Sequence, residues 1–143
     1  MNRRERIAQK LVRMAELREQ VSLVALAEAE RDRAEAEAVV AEMEAAQARA
    51  EAELTSGGVL SGLNRELLWT HRSRARVDRE LGEELLAESA RVLDAARAEL
   101  CVRKQHVQTR ERVYGYVHGE TITERRKQEQ REIDDLAGQR WSA

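Results

Sequence analysis

The sequence predicts an all-α protein: a long antiparallel two-helix coiled-coil hairpin with a C-terminal helical overhang. Three observations predict it. Of the 143 residues, 22 are Ala, 22 Glu, 22 Arg, 15 Leu and 3 Lys, well above the roughly half that signals a coiled coil or a long helix. Proline and phenylalanine are absent and aromatics make up 3%, so few residues remain to furnish strands. Leu86, Leu93, Leu100, Val107 and Tyr114 recur every seven residues, the spacing of a coiled-coil seam. With most apolar positions held by Ala, a thick core is not expected, and β-proteins, α/β enzymes and disulfide scaffolds are excluded. The whole chain is read as one elongated domain, 1–143.

The first helix is expected over about 3–54, where neither Gly nor Pro interrupts strong helix formers. At 1.5 Å per residue it would be roughly 80 Å long. Its proximal stripe is Ile7, Leu11, Met14, Leu17, Val21 and Val24, whose two successive steps of three resemble a stammer. Distally two registers compete: Ala34, Ala38, Ala41, Ala45, Ala48 and Ala52, or Ala36, Val40, Met43, Gln47, Ala50 and Leu54. The second is favoured, because each buried methylene contributes about 0.8 kcal/mol and Ala has little to bury.

The turn is expected at 55–62, with Gly57 as a left-handed cap and Ser61 or Asn64 capping the next helix. The second helix then runs over about 63–137. Its seam from Leu86 to Tyr114 takes Ala90, Arg97, Lys104 and Glu111 as intervening positions, and Leu63, Leu67, Val77, Leu81 and Leu85 carry the apolar face back toward the turn. Gly115–Glu124 weakens helix propensity, so a bend near 115–121 is an alternative to one continuous helix. Thr121 and Glu124 have capping-box spacing.

A turn near residue 58 places residue i opposite about 117 − i. The acidic stretch 28–53, nine acids against three bases, would then face 64–89 with its Arg65, Arg72, Arg74, Arg76 and Arg79. At the open end, residues 1–20 hold six bases and three acids, and residues 100–118 four bases and one acid. Like charges side by side are a cost unless something acidic binds there. Residues beyond about 117 have no partner in the first helix. Their aliphatic ridge is Ile133 and Leu136, with Ile122 on roughly the same face. So little burial leaves a lone helix marginal in water, so the overhang is expected to order on a partner.

Charge and motifs bound the function. The net charge of −2 argues against general nucleic-acid binding. Cys101 is alone, which suits a reducing compartment. The first residues lack a signal peptide's apolar stretch, so a cytoplasmic location is expected. No phosphate-binding loop, HExxH, GxSxG or CxxC occurs. His71, His106 and His118 are far apart in sequence, and Cys101 and His106 fall about 140° apart around a helix. No metal, cofactor or catalysis is expected. The basic runs Arg72–Arg76 and Arg125–Lys127 are short and flanked by acids, so no nucleic acid is expected as a partner, and no direct membrane insertion. Trp69 lies off the seam and is read as an anchor or as a cover for Val59 and Leu60.

The run Gln130-Arg131-Glu132-Ile133-Asp134-Asp135-Leu136-Ala137, followed by Gln139-Arg140, resembles the ending of the FliJ/YscO family. These are small coiled-coil proteins of bacterial flagellar and type III secretion export. Gln130, Arg131, Asp134, Asp135, Leu136 and Ala137 match its pattern position by position, while Gly138 departs from the usual ending. The length, the hairpin position and the longer second arm are also similar to that family. The resemblance implies a γ-subunit-like stalk whose terminal ends enter a hexameric export ATPase and stimulate it, coupling the ring to a membrane export gate protein and escorting export chaperones. It implies that the tail residues Gln130, Arg131, Ile133, Asp134, Asp135, Leu136 and Ala137, with Arg4, Ile7 and Leu11 of the N-terminal arm, contact the ATPase. Leu68 and Trp69 become gate-binding candidates. It further implies a monomer when free, at the cytoplasmic side of the inner-membrane export apparatus. The alternative is a generic coiled-coil scaffold or adaptor that self-associates without an ATPase partner.

Overall fold

In a computed structural model, which describes residues 1–56 and 62–142, the chain forms two helices, α1 (Arg3–Thr55) and α2 (Gly62–Ser142), packed against each other. No strand occurs among the described residues. Packing divides the chain into one unit of Met1–Leu23 with Glu99–Ala143 and another of Val24–Ala98. The expected helix 1 holds almost to the residue, whereas α2 runs five residues past its expected end. It continues as α-helix through Gly115–Thr121. Gly57, Ser61, Val59 and Leu60 lie outside the described residues, and Asn64 sits inside α2 rather than at its cap.

The start of α1 is fixed by a residue that sequence reading passed over. Asn2 Oδ1 accepts the Glu5 backbone N–H at 2.8 Å, while the Asn2 carbonyl accepts the Arg6 N–H at 3.1 Å. This is N-cap geometry, which satisfies a donor the helix itself leaves open.

The interior of α1 follows one unbroken three–four repeat. Glu5, Ala8, Val12, Ala15, Glu19, Ser22, Leu26 and Ala29 are buried or half-buried, and Arg33, Ala36, Val40, Met43, Gln47, Ala50 and Leu54 continue the series. The favoured distal register is therefore the interior one. The proximal stripe is not: Ile7, Met14, Leu17, Val21 and Val24 are all exposed, and only Leu11 of that set is half-buried. There is no stammer in the buried repeat. The small side chains Ala8, Ala15 and Ser22 take the inner positions, and the bulkier aliphatics are left facing outward.

In α2 the seam runs through Leu68, His71, Ala75, Asp78, Gly82, Leu86, Ser89, Leu93, Ala96, Leu100, Arg103, Val107, Tyr114, Val117 and Thr121, all buried or half-buried. The Leu86–Tyr114 heptads hold. Intervening positions fall three residues after Leu86, Leu93, Leu100 and Tyr114, at Ser89, Ala96, Arg103 and Val117; the expected Ala90 is half-buried too, while Arg97, Lys104 and Glu111 are exposed. Leu63, Leu67, Val77, Leu81 and Leu85 are exposed too, so the apolar face expected toward the turn is an outer one. Between Ala75 and Leu86 three steps cover eleven residues, the signature of a stutter. The middle of that stretch is Gly82. A Cβ there would lie 3.2 Å from a Val40 methyl and 3.4 Å from the Met43 terminal methyl.

The cross-helix register differs from the loop-centred expectation. In the terminal unit Asn2 meets Thr121, Arg4 meets Glu120 and Glu5 meets His118. In the other unit Gln47 reaches Asp78, Glu51 pairs with Arg72, and Gly82 faces Val40 and Met43. These pairs put residue i opposite about 123 − i, six residues beyond the expected 117 − i. Side-chain fit along the seam sets the stagger, since the glycine accepts two bulky neighbours where another residue would crowd them. The unpartnered end of α2 consequently begins near 122.

Candidate functional site

In the terminal unit, the outward turn of the α1 aliphatics builds a groove. Leu11, Met14 and Ala15 contribute apolar surface from α1, joined by Arg18; Arg103, His106, Thr109 and Arg110 line it from α2, around a volume of about 490 Å³. No carboxylate lines it. Arg103 is held by Glu99 one turn earlier at 2.8 Å, whereas neither Arg18 nor Arg110 pairs with a carboxylate among the described residues. Beyond the groove the apolar stripe continues: Leu17 is 61% and Val21 69% exposed.

The like-charged arms 1–20 and 100–118 are relieved at their ends rather than along their length. Glu5, buried in the seam, accepts a 2.5 Å hydrogen bond from His118 Nδ1. That bond holds its carboxyl below the usual value, against burial, which raises it; the charge of His118 and of the N-terminal amine also lowers it. The His118 ring stacks on Tyr114 with centroids 5.7 Å apart. Arg4, expected to serve a partner, pairs with Glu120 at 3.3 Å while staying largely exposed. Thr121 donates to the Val117 carbonyl one turn back and accepts from Asn2 Nδ2. It is an interhelix contact and not the cap of a restarting helix.

Every residue of 122–142 is exposed. Ile133 and Leu136 stand 59% and 61% exposed, three positions apart and so on one face. Gln130 Nε2 donates to Asp134 Oδ1 at 2.9 Å, a local pair that reinforces the helix. The tail residues Gln130, Arg131, Ile133, Asp134, Asp135, Leu136 and Ala137 thus share one uncovered helical segment with Ile7 exposed elsewhere in the same unit.

In the other unit the two gate candidates separate. Leu68 is buried, which corrects its reading as a contact residue, while Trp69 is 72% exposed beside a shallow hollow formed with Arg65, Glu66 and Thr70. His71 Nε2 lies 3.2 Å from the Gln47 carbonyl. Among the described residues no three His, Cys, Asp or Glu side chains gather as a metal set, and Cys101 is exposed and free. Among those residues no helix is long and apolar enough to cross a membrane.

Fold and surface define a two-helix antiparallel coiled-coil-like protein that exposes a basic apolar groove, an uncovered helix end and an outward Trp. The chain matches no protein-family model, no curated protein and no solved structure.

Proposed function

We propose that this chain is a non-enzymatic stalk and coupling component of a bacterial flagellar, type III protein export apparatus. It binds and stimulates a hexameric export ATPase, links that ring to the membrane export gate, and escorts export chaperones, working on the cytoplasmic side at the inner membrane. The observation that carries this reading is the end of α2. From about residue 122 it continues as helix with no α1 residue opposite, and it exposes Ile133 and Leu136 within the segment that resembles the FliJ/YscO ending. A single helix is about 10 Å across, thin enough for an axial pore. The two helix ends enter a six-fold ring asymmetrically, with Ile133 and Leu136 packed inside and Arg4, Ile7 and Leu11 at the rim. Contact with one subunit interface at a time biases nucleotide turnover.

The test is the steady-state rate of the cognate export ATPase with the wild-type chain and with the Ile133→Asp/Leu136→Asp double variant. Stimulation by the wild type and its loss in the variant, with helicity unchanged, is the expected result; loss of a buried anchor costs on the order of 1–3 kcal/mol. No stimulation by folded wild-type protein removes the stalk reading.

A second reading, a self-associating scaffold, is favoured by the exposed stripe Ile7, Met14, Leu17 and Val21. Light scattering separates the two, since the stalk runs at 16.3 kDa and a self-associating scaffold at a multiple of it.

A further inference from the structure

We propose that the groove of the terminal unit is a docking site for an acidic amphipathic helix of another protein. The groove combines two chemistries that such a helix satisfies together. Its floor is aliphatic: Leu11 is half-buried and Met14 half exposed, with Ala15 beneath. Its walls are cationic on both sides, with Arg18 from α1 and Arg110 from α2, beside the His106 ring. Because Glu99 already holds Arg103, the two guanidinium groups open to a new carboxylate are those of Arg18 and Arg110. Ile7, Met14 and Val21 repeat every seven residues along the rail beside the groove. They extend it over 14 residues of helix, about 21 Å, enough for the roughly 10 Å that anchors at i, i+3, i+4 and i+7 of a helix-in-groove partner span.

Charge decides the occupant. A second copy docking the same face by two-fold symmetry sets Arg18 and Arg110 of each chain against their equivalents, a like-charge cost. The chain's own acidic stretch 28–53 is the wrong shape for a second copy's groove, since Val39 is its only exposed large aliphatic. A phosphate backbone finds the arginines but gains nothing from Leu11 and Met14. An amphipathic helix with Glu flanking a Leu/Ile stripe fills the floor and neutralises the walls. This inference shares Ile7 and Leu11 with the rim contacts of the ring-binding reading, but its test turns on Met14, Arg18 and Arg110, whereas the test of that reading turns on Ile133 and Leu136.

The experiment uses the full chain and three fluorescein-labelled synthetic peptides sharing one Leu/Ile stripe at i, i+3, i+4 and i+7. Their flanks are Glu, Gln or Lys, and binding is read by fluorescence anisotropy at low and moderate salt. The expected order is Glu over Gln over Lys. Arg18→Glu/Arg110→Glu, shown by circular dichroism to be as helical as wild type, is expected to lower the Glu peptide's affinity by at least about tenfold and to raise the Lys peptide's. Met14→Asp is expected to weaken all three. The proposal is overturned if the Glu peptide does not bind, if flank charge makes no difference, or if the charge-reversed chain binds it as well as wild type. Competition by an oligo-dT strand at equal concentration reassigns the groove to nucleic acid and overturns it too. Concentration-dependent mass abolished by Met14→Asp gives the face to a second copy, with the same consequence.

Discussion

At the scale of single residues, Glu5 shows how a polar side chain comes to occupy a coiled-coil seam. It is the third residue of α1, where the N-cap Asn2 takes its N–H and leaves its carboxylate free to cross to His118. Because that carboxyl sits below its ordinary 4.5 when folded, the pair stabilises the folded chain above that value. The contribution is lost as pH falls through the lowered folded value. Glu5→Gln is therefore expected to unfold at lower urea than wild type near neutral pH, and the gap should close in acid, below the lowered folded value. Urea titrations at the two pH values check it, and a gap that persists in acid would mean that packing, not ionisation, carries the effect. The contact was legible only in part. Asn2 three residues before Glu5 is a capping pattern, but no spacing rule pairs residue 5 with residue 118.

At the scale of elements, the seam of each helix is decided by size as much as by hydrophobicity. Helices that meet on Ala8, Ala15, Ala29 and Ala36 approach closely, and bulky residues such as Leu17 and Val21 are carried to the flank. Gly82 serves the same end on α2, opposite Val40 and Met43. Gly82→Leu is expected to cost about 1–3 kcal/mol by overpacking. Gly119→Ala, at an exposed helical position with nothing near its missing Cβ, is expected to add about 0.5–1 kcal/mol through helix propensity. Urea unfolding followed by circular dichroism measures both, and equal effects at the two sites would contradict the register. The Leu86–Tyr114 repeat was readable because every seventh residue is large. The proximal stripe misled because an apolar run at helical spacing looks the same whether it faces a partner helix or solvent.

At the scale of the molecule, α2 divides into a packed stretch and an uncovered one. Up to Thr121 one face of it is packed; after it, every described side chain is exposed. A chain ending at residue 121 is therefore expected to keep its unfolding free energy within about 0.5 kcal/mol of wild type, while losing helical signal in proportion to the residues removed. A large drop in midpoint would mean that the tail folds back on the hairpin. On the proposed stalk function, the same deletion is expected to abolish stimulation of an export ATPase. Groove and tail then behave as separable surfaces, one answering to charge and the other to the aliphatic pair Ile133 and Leu136.

What the sequence determined alone was the class of structure. Eighty-four residues of five helix-forming types, with no proline, leave almost nothing but helix, and the single glycine cluster leaves one place to reverse. Backbone propensity is local, so composition suffices for it. The favoured distal register of α1 was also within reach, because Val40, Met43 and Leu54 outweigh alanines. Tertiary structure alone decided the stagger between the helices and which proximal face turns inward. Both depend on how side chains far apart in sequence fit each other. Gly82 against Val40 and Met43, and Glu5 against His118, place residue i opposite about 123 − i. That stagger brings Arg18 across from Arg103 and His106, and it makes a groove out of two stretches that each read, in sequence, as an ordinary solvated helix.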